Sequence, residues 1–534
     1  MKAAFDRMNT ATIAALVAVI VGALSMLLEP ALPWLVKWPA GWSLPMAEWI
    51  DTSLTWFFGT IKPAMRVFSM LIAYPMSWAH ALFAATPWPL SIGLITALGW
   101  YIGGASLAAL GFFGLSFVVA TGLWPESMST LSLVAVSVPL ALITGAGIGI
   151  LANEVPRLRR AIQTVMDVMQ TVPTFAYLTP LLFLFGFGPV VGLIASIIYA
   201  APPMARNLML GLDRVESDIK EAAIMSGGTR MQQLFLVEIP SAKTQIMVGV
   251  NQCLMAALSM VIIAAVIGGF KDLGWEVLLT MRKAWFGPSM MAGLAIVAFA
   301  MIIDRYSGAM ATERHRHDWR IALGIMALGL IAALVTWQSL PDPSSISLLD
   351  PVAKWLDRGL TSVLTQNGAA LDSIKNGSMF YGLLPLRIGL DGAVLPFTWG
   401  FQWTQNMSLI YYAIWALIAV VLAIRGRAAL GLTLLIFAGI LETGVAELPW
   451  PFVLIGAGAL GWVSGGRKLA IFATLMLALI LFSGLWERAL LSLYLSGAAV
   501  ITCAIFGGAI GLLCALSPLA WRIVLPICDM LQTI

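Results

Sequence analysis

The stretch EAAIMSGGTRMQQLFLVEIP, residues 221–240, interrupts two long apolar runs with polar, glycine-broken sequence. Apolar residues make up 60% of the 534-residue chain and charged residues only 10%, whereas a soluble domain carries roughly 25% charged residues. This composition predicts an all-α, polytopic transmembrane helical bundle. The 221–240 stretch is then a loop on one membrane surface, and its chemistry bears on what the protein does.

The first half of this loop reads as a short helix that ends in a tight turn. Ser217 is predicted to be the N-cap, and Asp218 lies in the first turn, where the helix dipole favours an anion. Gly227 and Gly228 are predicted to end the helix, because glycine adopts the left-handed C-cap conformation without steric cost.

The second half begins with Thr229 followed by Gln232, a capping-box pattern that predicts a second short helix. Pro240 is expected to mark the return to the membrane. Two interpretations of the whole loop remain open. It is a docking surface, on which the adjacent Ala222 and Ala223 allow close approach, or it is a solvated connection.

Basic residues set the sidedness of the chain, because they collect on cytoplasmic loops. The run 11–28 is predicted to be a retained first helix with the N-terminus inside, since it lacks a small-residue cleavage site. The loop at 214–240 falls inside as well, and the hydrophilic stretch 338–406 falls outside. Five tryptophans after the first helix are predicted to form an outer aromatic belt: Trp34, Trp38, Trp42, Trp49 and Trp56.

An internal repeat organises the rest of the chain. A shift of 362 positions places residues 86–172 on 448–534 without a gap, and TPWPLSIGLITALGWYIGG lies over LPWPFVLIGAGALGWVSGG. Nearer the N-terminus, AEWIDTSLT at 47–55 matches AKWLDRGLT at 353–361. Both copies begin with an inside-to-outside helix, which predicts a parallel tandem repeat rather than the inverted repeat of many secondary transporters.

The repeat predicts four regions. These are an N-terminal helix and external segment at 1–45, a first repeat at 46–310, a connecting region with an extra hairpin at 311–447, and a second repeat at 448–534. The second copy stops before the counterpart of the loop. A longer natural product is therefore expected, with a second loop near position 583, which is Glu221 shifted by 362.

Recognisable family motifs lie in and around the loop. Glu221-Ala222-Ala223, then Gly227, then Ile239-Pro240 resembles the coupling loop of the permease subunits of bacterial ABC importers. The segments DVMQTVPTFAYLTPLLFLFGFG at 167–188 and GVNQCLMAALSMVIIAAVIGG at 249–269 are similar to the branch that imports glycine betaine, proline betaine, choline, carnitine or trimethylamine N-oxide. The chain departs from that branch by fusing two permease copies.

This resemblance implies the type I ABC importer permease fold and a set of partners. Two cytoplasmic ATPase subunits would dock at Glu221, Ala222, Ala223, Gly227, Ile239 and Pro240, and a periplasmic or tethered binding protein would deliver the solute. ATP and magnesium belong to the ATPase. The chain itself has no P-loop motif, so it is expected to be a transport subunit rather than an enzyme, without a metal, cofactor or nucleic acid of its own. Its place is the bacterial inner membrane.

Seven residues within the branch signatures are candidates for the translocation pathway: Gln170, Thr171, Pro173, Asn251, Gln252, Met255 and Ser259. Most have a competing interpretation. Gln170, like Asp167, suits a helix end equally well. Asn251, Gln252 and Ser259 suit contacts between helices, and Met255 suits packing. Gly145, Gly147 and Gly149 are predicted to allow close helix packing rather than to line a path.

Two other functions are alternatives to the permease. An ion-coupled secondary transporter of a small polar solute would show inverted repeats or acidic residues deep within helices. A membrane enzyme would present clustered titratable groups on one membrane face. Neither pattern is evident in the sequence, and either protein would work without an ATPase.

Overall fold

The computed structural model describes residues 2–268, 270–311, 317–335 and 342–533. Within them the regular structure is helical throughout, which confirms the predicted all-α class. Residues 338–341 of the predicted external stretch lie outside the described residues.

The helices before the loop cover the first two hundred residues. They are α1 Lys2–Leu27, α2 Met46–Ala85, α3 Trp88–Gly103, α4 Ala105–Ala120, α5 Trp124–Glu154, α6 Pro156–Thr171, α7 Thr174–Phe185 and α8 Pro189–Asp213. The loop carries three short helices, α9 Ser217–Met225, α10 Arg230–Gln232 and α11 Ile239–Ser241.

The helices after the loop complete the chain. They are α12 Lys243–Gly268, α13 Leu273–Arg282, α14 Phe286–Ala311, α15 Trp319–Val335, α16 Asp350–Gln366, α17 Gly368–Gly377, α18 Leu384–Ala393, α19 Pro396–Trp399, α20 Gln405–Ile424, α21 Ala428–Thr443, α22 Trp450–Gly465, α23 Arg467–Phe482, α24 Trp486–Leu516 and α25 Pro518–Thr533.

Six of the described helices are long and apolar enough to cross a membrane: α2, α5, α8, α14 up to Met310, α20 and α24. The pair α6 and α7 would add a seventh as a broken span, bent by 97°. The sequence analysis missed α2, because Trp49 and Trp56 suggested an interfacial segment. Instead they lie in a helix of 40 residues that continues through Pro63 and Pro75.

The 362-position repeat is reproduced helix by helix. The bounds of α3, α4, α5 and α6 become those of α22, α23, α24 and α25 when 362 is added to each. The turns agree too, since Gly104 and Gly466 have φ of 75° and 73°, and Gly122 and Gly484 have φ of 76° and 73°. The tandem repeat is therefore a property of the backbone as well as of the sequence.

The described chain forms two compact units, one of Met1–Thr55 with Leu364–Trp521 and the other of Trp56–Val363 with Arg522–Ile534. The first unit thus joins the N-terminal helix to most of the second repeat. The second unit joins the first repeat to α15. The four predicted regions follow the sequence repeat rather than this packing, and they remain a prediction.

In the first unit, α1 packs on α22, where Gly22 lies against the ring of Phe452. The segment after α1 continues along the same repeat: Leu44 N donates to Phe482 O at 2.7 Å, and Trp38 packs edge-on against Trp450 and Phe482. At least Trp38 of the predicted aromatic belt is therefore a packing residue.

In the second unit, α15 packs on α3 in the corresponding way. Gly93 and Gly329 meet so closely that a Cβ on Gly93 would lie 2.8 Å from the Cα of Gly329. Leu349 N donates to Ala120 O at 3.1 Å, and Ala120 is the counterpart of Phe482. Each repeat is therefore packed against the helix that precedes the other repeat in the chain.

The main core of the second unit lies where α5, α8 and α12 meet. Leu133, Leu193 and Leu258 are almost fully buried there. A Cβ on Gly145 would lie 2.5 Å from Ala201 O, and one on Gly149 would lie 3.0 Å from Ala205 O, whereas Gly147 faces open space. The packing interpretation therefore applies to two of these three glycines.

Candidate functional site

The first helix of the loop, α9, begins at Ser217, one residue earlier than predicted. Glu216 holds the N-cap position with φ −56° and ψ 142°, and its side chain makes no capping hydrogen bond. Ser217 is the first helical residue and contacts Asp218 Oδ1 at 3.2 Å. The prediction of Ser217 as N-cap was wrong, because an extended Glu216 already turns the chain into the helix.

The end of α9 is formed as predicted by a left-handed glycine. Gly227 has φ +73°, and its N–H donates to Ile224 O at 3.0 Å. Nothing lies within 4 Å of a Cβ built on Gly227. The backbone conformation alone therefore demands glycine there.

The capping box is present. Thr229 N donates to Gln232 Oε1 at 2.8 Å, and Gln232 N donates to Thr229 Oγ1 at 3.4 Å. The helix that follows is less regular than predicted, since α10 continues as a π-helix over Gln233–Glu238 and then as α11. Pro240 lies inside α11, and the chain turns at Ala242 before α12 begins.

One face of the loop is fixed to the protein. Ala223 and Leu234 are buried, and Leu234 packs against Leu208 and Leu212 at the end of α8. Lys220 Nζ also donates to Leu212 O at 2.9 Å. Only Ala222 of the two adjacent alanines is exposed, so the predicted low-relief patch is half as large as expected.

Other residues of the loop expose large apolar side chains, which together we call the apolar patch: Ile224, Met225, Met231 and Leu236. Met225 is 87% exposed and Leu236 is 71% exposed. These residues flank the Gly227 turn on a surface loop rather than in an apolar helix. Exposed methionines suit a surface that must adapt to a partner.

Arg230 anchors the loop through two carboxylates. Its guanidinium donates to both oxygens of Glu154 at the end of α5, at 2.9 and 2.5 Å, and forms a second ion pair with Glu238. The Glu238 side chain is only 3% exposed, so Arg230 supplies the charge that makes its burial tolerable. Hydrogen bonds to these carboxylates raise the pKa of Arg230 above its usual value. Sequence reasoning missed this anchor, because Glu154 is 76 positions away.

The first group of predicted pathway residues lies at the bend between α6 and α7. Gln170 and Thr171 end α6, and Pro173 occupies the N-cap position of α7, next to the 97° bend. Thr171 Oγ1 donates to Asp167 O at 2.9 Å. Asp167 itself forms an ion pair with Arg206 of α8 at 2.5 Å.

A cleft of about 320 Å³ lies between α6 and α8 beside this bend. The Asp167–Arg206 pair and a second pair, Arg159 with Asp213, line it together with Gln163. Both pairs are partly exposed, which limits each to roughly 1 kcal/mol or less. They hold α6 beside the start of the loop.

The second group of predicted pathway residues lies on α12. Asn251 Nδ2 donates to Asp304 Oδ1 of α14 at 3.0 Å, and Gln252 accepts a hydrogen bond from Asn207 of α8 at 2.8 Å. Ser259 Oγ donates to Met255 O within α12 at 3.0 Å. The structure therefore engages Asn251 and Gln252 in contacts between helices, the alternative that the sequence left open. Their place on the pathway remains a prediction.

Asp304 was also missed by the sequence analysis, which noted no acidic residue deep within a helix. It lies in α14 and accepts from Asn251, which in turn accepts from Ser307 Oγ at 2.9 Å. The spacing of three positions between Asp304 and Ser307, directly after the long apolar run of α14, was the available signal.

Comparison with known proteins places these features in context. Residues 137–312, which include the whole loop, match the family model described as binding-protein-dependent transport system inner membrane component. The chain is 34% identical, over 51% of its length and 76% of the relative, to the glycine betaine/proline betaine transport system permease protein ProW of Escherichia coli.

Two further relatives extend the comparison. The glycine betaine transport system permease protein OpuAB of Bacillus subtilis is 35% identical over 49% of this chain and 93% of the relative. The trimethylamine N-oxide transport system permease protein TmoV of Ruegeria pomeroyi is 28% identical over 94% of this chain and 71% of the relative. The last alignment runs through both repeats.

Proposed function

This chain belongs to the family of binding-protein-dependent transport system inner membrane components, and from that premise we propose how it works and what it carries. It is the membrane permease of an ATP-driven importer and not an enzyme. A partner ATPase supplies the energy for import by hydrolysing ATP. The ion-coupled transporter and the membrane enzyme considered above are thereby set aside.

The proposed cargo is a quaternary ammonium or related methylated-amine solute, such as glycine betaine, choline or trimethylamine N-oxide. Relatives that align with about half of this chain are named as glycine betaine permeases, and one that aligns with 94% of it is named as a trimethylamine N-oxide permease. These names support this class. Such solutes are recognised by aromatic side chains around the methylated cation, and we expect that selection in the separate binding protein. ATP and magnesium are bound in the ATPase.

The apolar patch on the 214–240 loop is the observation that carries the coupling proposal. It exposes Met225 and Met231 on either side of the Gly227 turn, while Arg230 and Leu234 hold the loop to the protein. We place the ATPase subunit on this patch, at Glu221, Ala222, Gly227 and their neighbours. The loop and the N-terminus would then both be cytoplasmic.

The test uses the full transporter with its ATPase and binding protein in proteoliposomes. ATP hydrolysis and uptake of labelled glycine betaine, choline and trimethylamine N-oxide are measured in parallel. At least one solute is expected to stimulate hydrolysis and to accumulate inside only when ATP is present. Accumulation driven by an ion gradient without ATP would contradict the proposal.

A further inference from the structure

Four polar side chains form a continuous ladder along the contact between α8 and α12. Arg214 donates to Gln245 Oε1 at 3.2 Å, Gln245 Nε2 donates to Asn207 Oδ1 at 2.6 Å, and Asn207 Nδ2 donates to Gln252 Oε1 at 2.8 Å. We call these residues the polar ladder. It begins at Arg214, the C-cap residue that follows α8 and opens the loop.

The ladder has a regular geometry and a single direction. Asn207 and Arg214 are seven positions apart on α8, and so are Gln245 and Gln252 on α12. Each pair spans two helical turns on one face, about 10 Å along the axis. Every donor lies on the loop side of its acceptor, and hydrogen bonds aligned in this way polarise one another.

Two glycines bring the helices close enough for these short side chains to meet. A Cβ on Gly249 would lie 2.8 Å from Asn207 Cβ, and a Cβ on Gly211 would lie 3.1 Å from Ala242 Cβ. Asn207 is only 9% exposed, so its amide has little water to replace a lost partner. The ladder therefore depends on the precise separation of α8 and α12.

The far end of the ladder reaches a second polar contact. Gln252 follows Asn251 in the chain. The Asn251 amide donates a hydrogen bond to Asp304 of α14 and accepts one from Ser307 of the same helix. At this level α12 is hydrogen-bonded to α8 on one side and to α14 on the other. The ladder thus connects Arg214 to the turn of α12 that holds Asn251 and Gln252.

We propose that the polar ladder transmits movement of the loop to α12, so that Asn207 and Gln245 are positioning residues for coupled transport. This inference rests on the proposed function. A surface docked on the apolar patch displaces the loop, and Arg214 lies where the loop joins α8. The ladder converts that displacement into a shift of Gln252 in the cytoplasmic half of the bundle.

The test compares ladder variants with a matched loss of hydrogen bonds elsewhere. Asn207→Leu and Gln245→Met remove the rungs while conserving side-chain size. Tyr306→Phe is the control, because the Tyr306 hydroxyl donates to Ile95 O and Leu107 O between other helices of the same unit. Each variant is assembled with its ATPase and binding protein, and ATP hydrolysis is measured with and without the solutes that the wild type transports.

Each ladder variant removes two ladder hydrogen bonds and is expected to lower solute-stimulated hydrolysis by about tenfold, since loss of one such bond corresponds to roughly three- to tenfold. Unstimulated hydrolysis and Tm should change no more than in Tyr306→Phe. The double variant Asn207→Leu/Gln245→Met should lose no more than either single variant, because residues that act as a unit are non-additive. Multiplying losses in the double variant would contradict the proposal.

A second pair of variants leaves every polar group in place. Gly249→Ala is expected to spread α8 from α12 and to reduce stimulation like the ladder variants. Gly293→Ala on α14, where nothing lies within 4 Å, should behave as wild type. Normal stimulation in Asn207→Leu and Gln245→Met overturns the transmission role alone, whereas a wild-type complex that no solute stimulates contradicts the proposed function as well.

Discussion

At the residue scale, ion pairs attach the loop to the protein, and the backbone conformation of one glycine shapes its exposed part. Arg230 and Glu238 fix one face of the loop to the protein, and Gly227 provides the turn that the apolar patch flanks. Glu221 lies exposed on α9 between these features. Substitutions at these positions therefore separate docking from folding.

We expect Glu221→Lys and Gly227→Val to abolish coupling while leaving membrane insertion unchanged. The first reverses a charge on the proposed docking surface, and the second forces a β-branched residue to φ +73°. Solute-stimulated ATP hydrolysis of the assembled complex is the measurement. Glu216→Lys is the control for the helix dipole, since it also places a cation at the start of α9. Wild-type transport by Glu221→Lys would exclude the docking role.

Replacing Arg230 should weaken the attachment of the loop to the end of α5. Arg230→Met leaves the buried Glu238 carboxylate without its cation, a local cost of about 1–3 kcal/mol for a partly exposed pair. Arg230→Lys keeps the charge but cannot bridge both carboxylates as a fork, and it should be intermediate. Limited proteolysis within 214–240 measures the effect. Equal protection of all three proteins would show that the anchor is dispensable.

The stability of the protein is expected to depend on pH through Asp272, which lies between α12 and α13 outside the candidate spans. It is 2% exposed, and burial raises its pKa to about 7. The folded protein therefore holds a proton that the unfolded chain releases near its usual pKa of 3.8. Stability should fall as pH rises from about 4 to 7, by at most about 1.4 kcal/mol per pH unit.

The variant Asp272→Asn tests this assignment. Its amide oxygen can still accept from Trp275 N at the start of α13, the 2.8 Å hydrogen bond that Asp272 makes, but it does not titrate. Tm measured from pH 4 to 7 should therefore fall less steeply than in the wild type. An unchanged slope would assign the pH dependence to other groups.

At the element scale, some features were visible in the sequence and others were not. The capping box and the left-handed Gly227 follow from local chemistry, and both were predicted. The π-helix at Gln233–Glu238 and the Arg230 anchor arise from tertiary contacts, which leave no local pattern. The length of α2 was missed, because Trp49 and Trp56 suggested an interfacial segment and because Lys62 and Arg66 divide its apolar runs. The repeat was found because polar and aromatic residues recur at a fixed offset.

The proposed topology can be tested by labelling the region between α15 and α20. Cysteines at Ser344 and Asn376, both exposed, should react with an impermeant thiol reagent added to intact spheroplasts. The background needs replacement of Cys503 and Cys528, which are also exposed. Labelling at 344 and 376 only after lysis would place this region on the cytoplasmic side and overturn the predicted orientation.

At the scale of the whole molecule, the pairing of α1 with α22 can be tested by cross-linking. A chain divided between residues 336 and 341 puts Gly22 and Phe452 on separate fragments. A Cβ at Gly22 would lie 3.3 Å from Phe452 Cβ, which suits a disulfide. Gly22→Cys with Phe452→Cys should therefore join the fragments on a non-reducing gel. Gly22→Cys with Leu460→Cys, where Leu460 is 71% exposed, should not, and equal cross-linking of both pairs would contradict the packing.

The crossed packing of α1 and α15 also has a consequence for biosynthesis. Some 230 residues separate the start of α3 from that of its packing partner α15, and nearly 450 separate the start of α1 from that of α22. At about 5–20 residues per second, α3 waits roughly 10–50 s for its neighbour, and α1 waits longer still. Among these two helices, α1 thus waits longer for its partner although it is made before α3. Until then the glycine-lined faces of both helices depend on lipid or on the insertion machinery for cover.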